Sequence, residues 1–271
     1  ASWKPGSLLS TKIKNVLKWL GASQQEISKA NFEALRIKEN PEFVQQNYNK
    51  TEFNYDKIQL PEDSKKLDEW ANSENIDERF LLVLEYIANR NPNYINWYKD
   101  FYWSPTLPGR IIIPLQYKDI VYGWTARLVR DPKSKYELRY ELSKGTKFIF
   151  GADNLFKKYR NYVILTEGPF DAIVVDGVAS MGSTLTEHQL SWINSTDKEI
   201  IVVPDKDKSG QSMIDLAIEN GWSVSFPNFG TDVKDVAEAG KIFSRLMTTK
   251  MILDAKETNP LKINLLRKSW K

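Results

Sequence analysis

The first hundred residues alternate apolar and polar positions with a helical period. In TKIKNVLKWLG, residues 11–21, apolar side chains recur every three or four positions and a glycine ends the run. SQQEISKANFEALRIK begins on Ser23 with Glu26 three residues later. This is a capping-box pattern, in which each side chain satisfies the other's backbone donor. KKLDEWANS and DERFLLVLEYIANRN predict two further helices, and the polar PEFVQQNYNKTEFNYDKIQLPED ahead of them reads as a linker. At residue 109 the period changes. GRIIIPLQ, DIVYGWTARLV and KYELRYEL are β-branched or alternating runs, separated by the turn-like KD and DPKSK. They predict a small antiparallel unit with Arg110, Arg127, Lys135, Arg139 and Lys147 among its strands.

From residue 161 strand and helix patterns alternate: YVILTEG, PFDAIVVDG, ASMGS, TEHQLSWINST, EIIVVPD, SGQSMIDLAIENG, SVSFPNF. Alternation at this spacing predicts a parallel α/β sheet. Runs apolar throughout, such as EIIVV, suit strands buried on both faces. VKDVAEAGKIFSRLMTTKMILDAKE reads as helix and is followed by a basic tail, NPLKINLLRKSWK. Nothing repeats internally. Four parts are expected: a mainly helical region over 1–100, a basic strand-rich subdomain over 101–160, an α/β catalytic domain over 161–240, and a C-terminal helix with a basic tail over 241–271.

A chain of 271 residues has room for two compact domains or one large one. No run approaches the roughly 20 apolar residues of a membrane span, and no signal-peptide pattern opens the chain. No membrane partner is expected, and a cytoplasmic setting is. There is no cysteine, which excludes disulfides and Cys-ligated zinc. The single His188 excludes histidine-cluster metal sites. It sits at an ordinary helix start, TEHQLSW, and is assigned no role. The net charge of +3 hides basic blocks at 1–38, 109–151 and 240–271 alternating with acidic ones at 39–100 and 152–239. Cations for phosphates beside carboxylates for metals suit a metal-dependent enzyme on nucleic acid. Local fluctuation on a solvated surface explains the blocks equally well.

The carboxylates carry the chemistry. In such a sheet, side chains at the carboxyl ends of strands converge on the ligand crevice. Glu167 ends the first strand, and Asp205 and Asp207 end the third in PDKDKSG. A strand period of two turns Asp205 and Asp207 the same way, and hard divalent cations take oxygen ligands of that kind. Asp232 and Asp235 follow the fourth strand in GTDVKDVAEAGK. Carboxylates at three strand ends form a metal site, with a neighbouring acid for proton transfer. A lone DxD is more often a surface turn, and Asp171 is explained as well by a helix start favouring an acid. Glu167, at the end of a buried strand, has no such explanation. The weight lies in the ordered set.

At these residues the chain resembles the Toprim domain of primases, topoisomerases and some nucleases and repair proteins. TEGPFDA, Gly182 after ASM, PDKDKSG and VKDVAEA carry the resemblance, over roughly 160–240. It implies a Toprim-type parallel α/β sheet, preceded by a small basic mixed α/β subdomain and N-terminal helices. It also implies a Mg²⁺ or Mn²⁺ site. Glu167 would be general base or metal ligand, Asp205, Asp207 and Asp235 metal ligands, and Asp171 a second catalytic acid. Upstream, GRIIIPLQYKDIVYGWTARLVRDPKSKYEL and TKFIFGADNL are similar in order and spacing to primases, most like those of T-even-type bacteriophages, over about 100–245. Arg110, Arg127, Lys135 and Lys147 match basic positions of that pattern. With Arg139 and Lys234 they form the expected nucleotide- and template-binding set. The family's GR motif is Ala126-Arg127 here, and its Asn-Ser is replaced by Arg139-Tyr140 after Glu137-Leu138. These residues hold no cysteine for its zinc ribbon. ASWKPGS looks like the stretch after such a ribbon, so residue 1 is expected to be a boundary rather than the natural start.

The expected function is DNA primase catalysis: template-directed synthesis of short RNA primers on single-stranded DNA from NTPs, by metal-dependent nucleotidyl transfer. The basic strands would track the template backbone without reading bases. Tyr122, Trp124 and Tyr140 are candidates to stack on bases, although strand aromatics are more often core. The resemblance also implies a replicative helicase partner and, for a phage protein, the host cytoplasm. A Toprim nuclease or RNA-processing enzyme using the same acids is the alternative. A non-enzymatic tether with vestigial acids is a third reading. A topoisomerase lacks room for its strand-passage gate.

Overall fold

The computed structural model describes residues 9–39, 55–90, 98, 100–144 and 147–270. The opening ASWKPGS and residues 41–54 of the expected linker lie outside the described residues. The chain forms two compact units, residues 1–53 and 54–271.

In the first unit, α1 (Thr11–Trp19) and α2 (Gln24–Glu39) are the two expected helices. Ser10 caps α1 by accepting from the Ile13 amide. The capping box at α2 is formed. The Ser23 amide donates to Glu26 Oε2 at 2.7 Å, and the Glu26 amide donates to Ser23 Oγ at 3.2 Å. Gly21, with φ of 88°, makes the left-handed turn between the helices.

The second unit begins with an antiparallel sheet of five strands, in the order β1-β2-β3-β4-β5. These are β1 (Lys65–Lys66), β2 (Tyr102–Trp103), β3 (Arg110–Tyr117), β4 (Ile120–Leu128) and β5 (Tyr140–Leu142). Lys118 and Asp119 turn β3 into β4, both with positive φ. That is the twist a two-residue hairpin needs. Between β1 and β2 run α3 (Leu67–Ala71) and α4 (Glu78–Arg90). KKLDEWANS was expected to be helical throughout. Its two lysines instead pair with Trp103 and Tyr102, because a sheet edge offers them partners that local propensity does not register.

The alternating half follows. A 3-10 turn (Ala152–Phe156) leads into β6 (Tyr162–Thr166), α5 (Pro169–Val175), β7 (Val178–Ala179) and α6 (Glu187–Asn194). Then come β8 (Glu199–Val202), α7 (Lys208–Glu219), β9 (Ser223–Ser225), α8 (Val236–Asp254), β10 (Lys256–Glu257) and α9 (Pro260–Leu266). The second sheet runs β10-β9-β8-β6-β7. Its three inner pairings, β9–β8, β8–β6 and β6–β7, are parallel, as the alternation predicts. β10 adds an antiparallel edge, which its two residues were too short to announce. The fold is α/β with an antiparallel and a mixed sheet.

One hydrophobic core spans both sheets. It runs from Phe80, Val83 and Ile87 of α4 through Trp103, Ile111 and Ile113 to Ile164, Phe170, Ile201 and Val236. Ile111, Ile112 and Ile113 are all buried, so β3 is covered on both faces. Two indoles at this core are hydrogen-bonded: Trp70 donates to the Trp103 carbonyl and Trp103 to that of Pro108, each at 2.9 Å. This shared core packs the first sheet against the second.

Candidate active site

The two sheets leave a cleft of about 390 Å³ between them. Glu167, Asp171, Asp205 and Asp235 form its acidic wall, and Arg90, Arg127 and Arg139 its basic one. A second cleft of about 950 Å³ shares Asp205 and Asp235 and adds Lys206, Asp207 and Lys234.

Local structure explains why the acids sit there. β6 ends at Thr166, whose buried hydroxyl donates to the Gly168 carbonyl at 3.0 Å and holds the turn bearing Glu167. The amides of Ser180 and Met181 donate to the carbonyls of Thr166 and Glu167. A Cβ on Gly168 would stand 2.9 Å from Asp171 Oδ2, so a side chain there would displace that carboxylate. Gly210 plays the same part in PDKDKSG. A Cβ on it would fall 2.0 Å from the Asp205 carbonyl oxygen, so only glycine lets α7 start beneath that acid. The Gly210 amide donates to Asp207 Oδ1 at 3.0 Å.

Asp171 and Asp235 meet at the start of α8. Asp235 is the N-cap and accepts from the Glu238 amide at 2.7 Å. Asp171 reaches across from α5 and accepts from the Ala237 amide at 2.9 Å. A helix start supplies free donors and a positive dipole end, which accommodate two acids side by side. The carboxylates still repel one another. Burial, then the charges of Asp235 and Asp205, raise Asp171 well above the usual carboxylate range. Asp205 is pushed up to about 7 by burial and then by Glu167, Asp207 and Asp235.

The basic residues divide. Arg127 is buried, lines the first cleft, donates through Nε to Tyr86 Oη at 3.2 Å and stacks on Tyr140. Arg139 lines the cleft and pairs with Asp131. Lys234 lines the second cleft. Lys147 donates to the Thr184 carbonyl at 3.1 Å. Burial lowers its pKa while the charge of Glu167 works the other way. Arg110 lines neither cleft. It donates to the carbonyls of Ala126 and Leu138 and pairs with Glu141 at 2.7 Å. Lys135 also lies outside both, its Nζ over the Tyr136 ring. Tyr122 packs on Phe148 and Tyr55, and His188 on Tyr55. Arg90 was not foreseen. A basic residue in the last turn of an amphipathic helix reads as a partner for the helix dipole, and nothing local marks it as part of a cleft.

Residues 164–239 match the Toprim-like family model. The Toprim-like segment therefore holds Glu167, Asp171, Asp205, Asp207 and Asp235. Over 113 residues the chain is 30% identical to the DNA primase of Thermotoga maritima. The match covers 38% of this chain and 20% of that relative, so the chain spans a fifth of its relative's length. A DNA primase domain from Pseudomonas aeruginosa is similar in structure at a TM-score of 0.47 and 16% identity, over 59% of this chain and 55% of that one. The E. coli primase catalytic core is similar at 0.46 and 18%, over 59% and 56%.

A Toprim-like domain implies a divalent cation. The donor chemistry here fits one: the acids around Asp205 are all oxygen donors, and their mutual repulsion is what a hard cation relieves. As placed, no three His, Cys, Asp or Glu among the described residues are gathered closely enough to hold an ion.

Proposed function

We propose that this chain is the catalytic core of a DNA primase, joining ribonucleotides on a single-stranded DNA template. One observation carries the reading: strand-end acids of the Toprim-like segment face arginines of the antiparallel sheet and α4 across a single cleft. Polymerising nucleotides needs both walls, since phosphoryl transfer depends on positioning and charge stabilisation more than on covalent catalysis.

Asp205, Asp207 and Asp235 would hold Mg²⁺ or Mn²⁺, which when bound neutralises charge on the triphosphate. Glu167 takes the proton of the attacking 3′-hydroxyl or serves as a further ligand. Asp171 aligns the start of α8, and with it Asp235. Arg127, Arg139, Lys147 and Lys234 take phosphates of nucleotide or template. The 3′-oxygen bonds to the α-phosphorus, and pyrophosphate leaves. The order EGPFD then KDV supports assignment to the T-even phage type, and a replicative helicase as partner follows from that resemblance.

The test combines the protein with single-stranded DNA, labelled NTPs and Mg²⁺ or Mn²⁺, with and without an RNA dinucleotide. Short labelled RNA is expected from the wild type and none from Glu167→Gln or Asp205→Asn. Metal-dependent degradation of the nucleic acid would replace this reading with a nuclease.

A further inference from the structure

Arg90 and Arg127 differ from the other arginines. Every other arginine with a described side chain, from Arg79 to Arg267, pairs with a carboxylate. Among the described residues, these two have no carboxylate within ion-pair distance; Arg90 feels Asp235 and Asp171 only across the cleft. Yet Arg127 is buried and Arg90 half-buried, both in the wall of the same cleft. A guanidinium withdrawn from water without a counter-ion is costly unless something occupies that role.

Both are also held in place. Arg90 Nε donates to Tyr86 Oη at 3.0 Å and Arg127 Nε to the same oxygen at 3.2 Å. A hydroxyl oxygen has two lone pairs, and here both are used. Tyr86 stands one helical turn before Arg90 on α4, while Arg127 comes from β4. Aromatic faces fix the planes: Arg90 lies 4.8 Å from the Phe170 ring centre and Arg127 4.6 Å from that of Tyr140. With Nε occupied and the plane stacked, the terminal nitrogens of each guanidinium meet no acceptor among the described residues. Two planar forks tied at one oxygen suit a phosphate group.

We infer that Tyr86 is a positioning residue that aims Arg90 and Arg127 at the polyphosphate tail of a nucleoside triphosphate. That choice of substrate rests on the nucleotidyl-transfer reading, whereas the anion site does not. A lone carboxylate ligand would be repelled by Asp171, Asp205 and Asp235 on the opposite wall. A polyphosphate arrives with a divalent cation that those acids attract.

The experiment measures binding by calorimetry, apart from catalysis, using inorganic tripolyphosphate with Mg²⁺ and, separately, a short oligothymidine. Tyr86→Phe keeps the ring and removes only the shared acceptor. It is expected to weaken tripolyphosphate binding about tenfold, the worth of a hydrogen bond to a charged group. Oligothymidine binding and melting temperature should stay at wild-type values. Arg90→Lys, which keeps the charge and loses the fork, should weaken tripolyphosphate similarly and serves if Tyr86→Phe fails to fold. In primer synthesis, KM for NTP should rise in Tyr86→Phe with kcat nearly unchanged. Equal tripolyphosphate affinity in wild type and variants, or no binding to the wild type, overturns the inference. A parallel loss of oligothymidine binding would assign the arginines to template instead and also overturn it. Weakened tripolyphosphate binding in a protein that makes no RNA would sink the primase reading and leave the anion site standing.

Discussion

Asp171 and Asp205 bear the largest cost of the site. Both have pKa values raised by burial and by neighbouring acids, so in metal-free protein their ionisation works against the fold. A raised folded-state pKa contributes stability at pH below the unfolded value, near 4, and loses it as pH rises through the folded one. In chelator, the melting temperature should therefore fall between pH 4 and about 7, where Asp205 ionises. Asp205→Asn should flatten that slope, as followed by thermal denaturation across pH. Gly210 shows the opposite dependence, on space rather than charge. Gly210→Ala would drive a methyl into the Asp205 carbonyl. A loss of about 2 kcal/mol or more is expected in urea denaturation, in the range of backbone clashes that cannot relax.

At the scale of elements, one carboxylate ties several together. Asp176 ends α5 in the left-handed conformation. It pairs with Lys157 before β6, with Arg160 at the entry to β6 and with Arg245 of α8. Burial opposes its charge, but hydrogen bonds from Lys157 and Tyr159 and the charges of Lys157 and Arg245 outweigh it and lower its pKa. A depressed pKa contributes stability above the unfolded value and loses it as pH falls through the folded one. Asp176→Ala should cost about 2–4 kcal/mol, because three cations lose a partner and alanine resists positive φ. Asp176→Asn should cost less, since asparagine tolerates that backbone. Chemical denaturation at pH 7 distinguishes the two, and the gap between wild type and Asp176→Asn should narrow in acid. Most elements were legible from periodicity. Those that were not include β1, β2 and β10, two-residue strands that exist because a neighbouring strand pairs with them, and α9, a short helix within the expected basic tail.

For the molecule as a whole, the two walls of the cleft come from separate sheets over one core. Divalent cation should therefore stabilise the folded chain by linkage. Addition of Mg²⁺ or Mn²⁺ is expected to raise the melting temperature by a few degrees and chelation to reverse it, with the effect lost in Asp205→Asn. An unchanged melting temperature in the wild type would count against a metal at these acids.

Period and spacing alone determined the helices at the start, the β3–β4 hairpin, the strand–helix alternation and the acids at strand ends. Those features are local: a backbone of known period turns a given residue to a given face and end. Tertiary structure decided which cations meet the acids. Arg110 and Arg127 lie in adjacent strands of one sheet, and both read as basic strand residues. Arg110 is taken up by Glu141 and two carbonyls, while Arg127 stacks in the cleft and shares a hydroxyl with Arg90. Which counter-ion a guanidinium finds depends on chain segments far away in sequence, and packing across the core brought α4 to that wall.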